Sequence, residues 1–309
     1  MRAALPVLIA AVWAAAVPDA GAAPADPPCF GAAVRAAVHP CHDRRLRFMV
    51  RPRPAVAQIT PNEPCEFVTP SGPVHPCAFG VRLREARARI ALVGDSHASH
   101  LRAALVHAAR ARRWYGLSVT TSVCPISATR QVLPPGAARA CRRWNRAVPR
   151  WLRRHPGIGT VFQSQIVSPR EVYRRPGETR FSVQVRGYLQ AWETFPRSVR
   201  RIVVIRDDPR TSVHTPSCVM RARAEHRRPG YACAEPRAWA LPPDPLAEAA
   251  RRARGRRVDL VDLTRFMCSR TRCFPVVGGA LVHKDVTHLT RAFARTLGPF
   301  LLRRLNAAR

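Results

Sequence analysis

The chain has 309 residues, 47% of them hydrophobic, which is enough for the core of one sizeable α/β domain and too apolar for a disordered chain. Lys and Arg number 52 against 19 Asp and Glu, a formal charge of +33 with an isoelectric point near 11.7. Such a balance usually points to nucleic acid, but Lys284 is the only lysine, and phosphate recognition does not select arginine so completely. Together with abundant Ala and 30 Pro, the ratio reads as GC-rich codon usage, and no nucleic acid partner is expected.

The N-terminus sets the expected compartment. Arg2 precedes an apolar run from Ala3 to Val17, closed by Pro18 and Asp19, and Ala20-Gly21-Ala22 offers a small-residue cleavage site. Residues 1–22 therefore read as a secretory signal, the alternative being an uncleaved anchor, and the expected location is extracytoplasmic, in the cell envelope. No later stretch reaches the roughly 18 apolar residues of a spanning helix.

Ten cysteines fit an oxidising compartment, since they are even in number and fall in close sequential pairs: Cys29 with Cys41, Cys65 with Cys77, Cys124 with Cys141, Cys218 with Cys233, and Cys268 with Cys273. Order alone does not fix connectivity, but nearest-neighbour pairing would close five short loops, each stabilising by about 2–4 kcal/mol. Zinc spacing is missing, because no C-x-x-C occurs and neither His39-Pro40-Cys41-His42 nor the Cys268–Cys273 segment supplies it. No metal site and no cofactor are expected.

From residue 23 to 83 the chain is rich in Pro and Cys, with Pro52, Pro54, Pro61, Pro64, Pro70, Pro73 and Pro76 breaking any period, so an irregular, disulfide-stapled arm is expected. Residues 84–309 then alternate. Ile90-Ala91-Leu92-Val93 is a buried-strand run ended by Gly94, and from Ser96 to about Arg113 apolar positions recur at helical spacing. Leu117–Val123 reads as a second strand, and Ala137–His155 as a helix with Trp144, Val148 and Trp151 on one face. A third strand begins at Thr160; Val183–Thr194 is a helix, Arg201–Ile205 a fourth strand, Leu246–Arg254 a helix, Val258–Leu263 a fifth strand and His288–Leu305 a closing helix. The pattern predicts a three-layer, doubly wound, flavodoxin-like α/β fold on a parallel five-stranded sheet, with its site at the carboxyl ends of the strands.

Those ends carry Asp95-Ser96-His97, Cys124, Ser164-Gln165, Asp207-Asp208 and, after the fifth strand, Lys284-Asp285-Val286-Thr287-His288. A serine hydroxyl becomes a nucleophile when an imidazole takes its proton, and the imidazole needs a carboxylate to fix its tautomer. Asp285 and His288, three residues apart, can meet on one turn with the second ring nitrogen facing Ser96. At a helix start, Ser96 would also offer its N–H to an oxyanion. Each motif alone is also what a capped helix start looks like; their order at the two ends of one α/β region is what favours chemistry. The G-x-S-x-G elbow is absent, since Gly94-Asp95-Ser96-His97-Ala98 ends in alanine.

Leu92-Val93-Gly94-Asp95-Ser96-His97-Ala98, Ser122-Val123-Cys124-Pro125, Cys141-Arg142-Arg143-Trp144-Asn145 and Asp285-Val286-Thr287-His288-Leu289-Thr290, in that order, resemble the SGNH-hydrolase-like domain found fused to membrane-bound acyltransferases, which O-acetylate peptidoglycan and other surface polysaccharides. The resemblance runs from about Cys29 to the C-terminus. It implies Ser96 as nucleophile, His288 as general acid/base and Asp285 as its orienting carboxylate. It also exposes a departure: the wider pattern takes oxyanion donors from a Gly after the second strand and an Asn after the third, where this chain has Cys124-Pro125 and Gln163-Ser164-Gln165. Gln163, Ser164 and Gln165 are accordingly the oxyanion or substrate candidates. His283-Lys284 stands where the family often has aromatic residues.

The expected function is a secreted serine-dependent O-acyl transferase or esterase, acetyl being the implied group, acting on acylated cell-envelope carbohydrate through an acyl-serine. With no multi-pass domain ahead of it in this sequence, a separate membrane acyltransferase would supply the acyl group. The alternatives are a general or lipase-like ester hydrolase, and a non-catalytic envelope-binding protein whose arginines, such as Arg251, Arg252, Arg254, Arg256 and Arg257, hold an anionic wall polymer or membrane surface. If all ten cysteines pair, the intact mass of the oxidised chain will be ten hydrogens below that of the reduced chain; free thiols at several positions would reopen metal ligation.

Overall fold

The computed structural model describes residues 26–307 except 39 and 256, so the signal-like segment 1–22 lies outside the described residues. Five disulfides join the cysteines as nearest neighbours: Cys29–Cys41, Cys65–Cys77, Cys124–Cys141, Cys218–Cys233 and Cys268–Cys273. Among the described residues no helix is long and apolar enough to cross a membrane.

The arm is more regular than its prolines suggest. Helix α1 (Pro54–Ile59) starts on a proline, and β1 (Glu66–Phe67) and β2 (Cys77–Gly80) form an antiparallel pair. The main body follows with β3 (Ala88–Gly94), α2 (Ser96–Ala111), β4 (Trp114–Thr120), α3 (Pro135–Arg154), β5 (Ile158–Ser164), α4 (Arg180–Glu193) and β6 (Arg201–Ile205). A 3-10 turn separates α1 and β1 from β3. Next come α5 (Thr215–Ala224), the single turns α6 (Pro229–Ala232) and α7 (Arg237–Ala240) around the short strand β7 (Glu235–Pro236), α8 (Pro245–Arg252) and β8 (Arg257–Val261). The two-residue strands β9 (Arg272–Cys273), β10 (Val276–Val277) and β11 (Ala280–Leu281) precede α9 (Arg291–Thr296) and α10 (Gly298–Ala307).

The central sheet has seven strands in the order β1-β2-β4-β3-β5-β6-β8. The five expected strands are its parallel part, and numbered along the chain they run 2-1-3-4-5, the flavodoxin-like order. The arm corrects the five-strand count: β2 pairs antiparallel with β4 and extends the sheet. Alternation within the strands separates two cores. Ile90, Leu92, Phe162, Val203 and Ile205 face α2, α9 and α10, whereas Ala91, Val93, Val161, Ile202 and Val204 face α3, α4 and α8. Trp144, Val148 and Trp151 are buried in the second of these, as their helical spacing requires.

Boundaries move: the second strand, expected over Leu117–Val123, runs from Trp114 to Thr120. The closing helix does not begin at His288: Thr290 caps α9, its hydroxyl accepting the Phe293 N–H at 3.1 Å, and α9 stops at Thr296 before α10 resumes. His288 is thereby left in a loop. At the other end of the site, Gly94 has φ +146°, and a Cβ there would lie 1.9 Å from the Ser164 carbonyl oxygen. Only glycine lets β3 run this close to β5 immediately before Ser96. Gly94→Ala should destabilise the fold by about 2–4 kcal/mol through backbone strain and overpacking together, read as a lowered Tm or denaturation midpoint; an unchanged midpoint would mean that this approach is not tight.

Candidate functional site

Ser96 is the first residue of α2, directly after the central strand β3 and at the point where the chain turns to opposite sides of the sheet. Asp95 caps the helix: its carboxylate accepts the His97 N–H at 2.9 Å and the Ile166 N–H at 3.1 Å, tying the helix start to the segment after β5. Burial raises the Asp95 pKa despite the favourable field of His97. With Asp95 used in this way, the Ser96 N–H lies in the first helical turn, which has no carbonyl one turn earlier to accept it.

His288 arrives from 192 residues away, with Nε2 2.8 Å from Ser96 Oγ. Its Nδ1 lies 2.8 Å from Asp285 Oδ2. A carboxylate opposite Nδ1 places the ring proton there and leaves the Nε2 lone pair toward the serine hydroxyl. Asp285 Oδ1 also accepts the N–H groups of Thr287 at 2.9 Å and His288 at 2.8 Å. Against the upward push of partial burial, these bonds hold the Asp285 carboxylate well below the usual range. The structure thus joins Ser96, His288 and Asp285 into one hydrogen-bonded chain.

The other candidates have different surroundings. Gln163 is fully buried, its amide nitrogen donating to the Ile126 carbonyl at 3.2 Å and its oxygen accepting from Trp192 Nε1 at 2.8 Å. The Gln165 oxygen accepts the Ile126 N–H at 3.2 Å, and its amide lies against the Tyr188 hydroxyl. Both glutamines hold the loop after β4 in place; Gln163 uses both ends of its amide, whereas Gln165 Nε2 makes no hydrogen bond that meets ordinary geometry. Ser164 Oγ is buried without a hydrogen-bond partner. Asn145 likewise binds the Cys124–Ser127 loop through Pro125 O and Ser127 N.

Behind Ser96 lies a group to which sequence reasoning gave no joint role. His97, His100, His283, Asp207 and Asp208 are all buried. His97 Nδ1 is 2.6 Å from Asp207 Oδ1, and Asp207 Oδ2 accepts the Val167 N–H at 2.7 Å. Burial alone would push the His97 imidazole down; the carboxylates of Asp207 and Asp208 overturn that and hold it well above its ordinary value. His100, by contrast, is pushed down to about 4 by burial, which Asp208 only partly offsets. The i, i+3 histidines that follow the serine, and two carboxylates at one strand end, were visible signals. Their pairing across more than a hundred residues was not.

Ligand atoms of His97, His100 and Asp208 lie within 4.8 Å of one another, and His97 Nε2, His100 Nε2 and Asp208 Oδ1 are buried without a hydrogen-bond partner. His100 Nδ1 accepts the Leu289 N–H at 3.3 Å, so the neutral ring carries its proton on Nε2, facing Asp208, and His97 Nδ1 is already committed to Asp207. The arm reaches this region as well. Asn62 bonds Ser99 of α2 at 3.2 Å and accepts from Lys284 Nζ at 3.0 Å, while Glu63 pairs with Arg295 at 2.7 Å.

A doubly wound α/β sheet thus carries Ser96, His288 and Asp285 within hydrogen-bond reach of one another beyond the end of its first parallel strand. The chain belongs to the family described as SGNH domain (fused to AT3 domains), whose model matches residues 60–303. Membership supports an acyltransferase-like or esterase-like role. Among solved structures it is similar to the periplasmic domain of a lipopolysaccharide acetyltransferase from Salmonella ser. Paratyphi A, with a TM-score of 0.54 and 14% identity over 74% of this chain and 90% of that one. At that identity the likeness is one of fold. No curated protein matches the chain in sequence.

A histidine whose folded pKa is raised stabilises fully below its unfolded value of about 6.5 and loses that contribution as pH rises through the folded value. The Tm advantage of wild type over His97→Asn should therefore be widest near pH ~6 and narrow on the alkaline side. An advantage that grows with pH would mean that His97 is neutral in the fold.

Proposed function

We propose that the protein is an extracytoplasmic serine-dependent O-acyl transferase or esterase, acting on short acyl groups, acetyl foremost, carried by cell-envelope carbohydrate. The observation that carries this reading is the 2.8 Å contact between His288 Nε2 and Ser96 Oγ, with Nδ1 of the same ring bound to Asp285. Five disulfides support the compartment.

In the proposed reaction each step falls to one group. As Ser96 Oγ attacks the acyl carbonyl carbon, His288 Nε2 takes the hydroxyl proton, and Asp285 stabilises the imidazolium that forms. The carbonyl oxygen becomes an oxyanion for which the Ser96 N–H, at the positive end of α2, is a donor. Collapse expels the donor alcohol with the proton returned by His288 and leaves an acyl ester on Ser96. A sugar hydroxyl, or water, then gives its proton to His288 and attacks that ester, releasing the acylated product and restoring Ser96.

A cavity of about 210 Å³ lies beside the loop, lined by neighbours of the proposed reacting groups such as His97 and Thr287 and not by Ser96 or His288 themselves. Ile166, Val167, Pro169, Leu241, Pro242 and Val286 wall it, with His97 and Asp207 also among its lining residues. In this proposal a membrane acyltransferase is the donor's source, and the excess of arginine holds the protein near anionic wall polymer or lipid by salt-sensitive attraction.

Ser96→Ala should lower acetyl-ester turnover by at least ~10³-fold and remove labelling by a serine-reactive phosphonate; unchanged turnover would overturn the mechanism. In mass spectrometry of wild type charged with an acetyl donor, faster loss of the Ser96 acetyl group to glycan fragments than to water identifies a transferase. Equal loss identifies an esterase.

A further inference from the structure

The loop that carries Asp285 and His288 has a narrow neck. His283 and Leu289 face each other across a bridge, the Lys284 N–H donates to the His288 carbonyl at 2.8 Å, and the Thr290 N–H donates to the Val282 carbonyl at 2.8 Å. Both sides of that neck are held from outside the loop. On one side His283 Nε2 lies 3.1 Å from Asp208 Oδ2. On the other, the Leu289 N–H donates to His100 Nδ1 at 3.3 Å. The two holds join, since His100 Nε2 lies 3.0 Å from Asp208 Oδ1, an ion-pair-length contact too bent for an ideal hydrogen bond.

We propose that His100, Asp208 and His283 form a buried clamp that sets the position of His288 over Ser96. The reason lies in where the three residues sit. His100 is four residues after Ser96, so it lies one turn along the same face of α2. Asp208 follows β6, and His283 begins the loop. The clamp therefore ties the helix that bears the nucleophile to the neck of the loop that bears the base, through one carboxylate fixed to the sheet. None of the three is hydrogen-bonded to Ser96 Oγ or His288 Nε2, although the His100 ring stands edge-on to the His288 ring with centroids 5.9 Å apart; they are positioning residues. A neutral His100 is required, because a proton on Nδ1 would point at the Leu289 N–H.

The clamp rests on the reading of Ser96 and His288 as reacting groups only for its kinetic consequence, and the test separates the two. In hydrogen–deuterium exchange of the purified full chain, His100→Ala should speed exchange over residues 282–290 by at least ~10-fold and leave β3 unchanged. With an acetyl ester, kcat should fall ~10–100-fold while KM stays within about twofold, as expected for a base displaced by a fraction of an ångström. His100→Asn, which returns an acceptor near the Nδ1 position, should recover most of both effects. Unchanged exchange in 282–290, equal loosening of β3, or an Asn variant no better than Ala would each overturn the clamp. Faster exchange over 282–290 in His100→Ala, together with a wild type that turns over no acyl ester, would uphold the clamp and overturn the proposed reaction instead.

Discussion

Four carboxylates, Asp95, Asp207, Asp208 and Asp244, are buried behind Ser96 together with the imidazoles of His97, His100 and His283, and the need to partner these carboxylates constrains this end of the sheet. An unpaired buried carboxylate would cost several kcal/mol, so each must be met by N–H groups or a cation. Asp95 takes backbone N–H groups, and Asp244 does the same, accepting from Asp207, Leu246 and Ala247 and so capping α8. Asp207 takes His97, and Asp208 takes His100 and His283. The consequence is mechanical. The start of α2, the segment after β5, the end of β6 and the neck of the 283–289 loop are locked to one another by groups that have no water to fall back on.

This arrangement explains the division of labour in the Gly94-Asp95-Ser96-His97 stretch. Gly94 supplies the close approach of β3 to β5, Asp95 caps and anchors, and His97 turns inward to Asp207. Only Ser96, half-buried, is left facing outward, where His288 meets it. The same logic sets Gln163 apart from Gln165: the amide of Gln163 is used at both ends by Ile126 and Trp192, whereas Gln165 spends its oxygen on the Ile126 N–H and keeps Nε2 without a hydrogen-bond partner.

The legible part of the fold was the part governed by local pattern. Apolar runs such as Ile90–Val93 and Arg201–Ile205 could only be buried parallel strands, and the residues at their carboxyl ends brought Ser96, Asp285 and His288 together as a testable set. Cysteine order anticipated five loops because each pair is separated by 5 to 17 positions. What escaped was non-local or too short to have a period. Strands of two and four residues in the arm are placed by the Cys65–Cys77 bridge and by the exposed edge of β4. His288 was drawn into the closing helix by the periodicity of Leu289, Phe293, Leu297 and Leu301, whereas the Thr290 cap decides the boundary by a single hydrogen bond. The buried histidines are invisible to periodicity altogether, since the partners of His97 and His283 lie 110 and 75 residues away.

In the proposed reaction, the same structure that holds His288 firmly leaves it wet. The His288 and Asp285 side chains retain 27% and 42% of their exposure, so the described residues leave the base of an acyl-serine open to water. A sugar hydroxyl prevails over water at such a site by proximity and by displacing the solvent around His288. Acceptor binding and water exclusion are then one event. The choice between transfer and hydrolysis belongs to the occupied site, and an acceptor fragment too small to cover His288 would be a substrate in name while leaving hydrolysis in control.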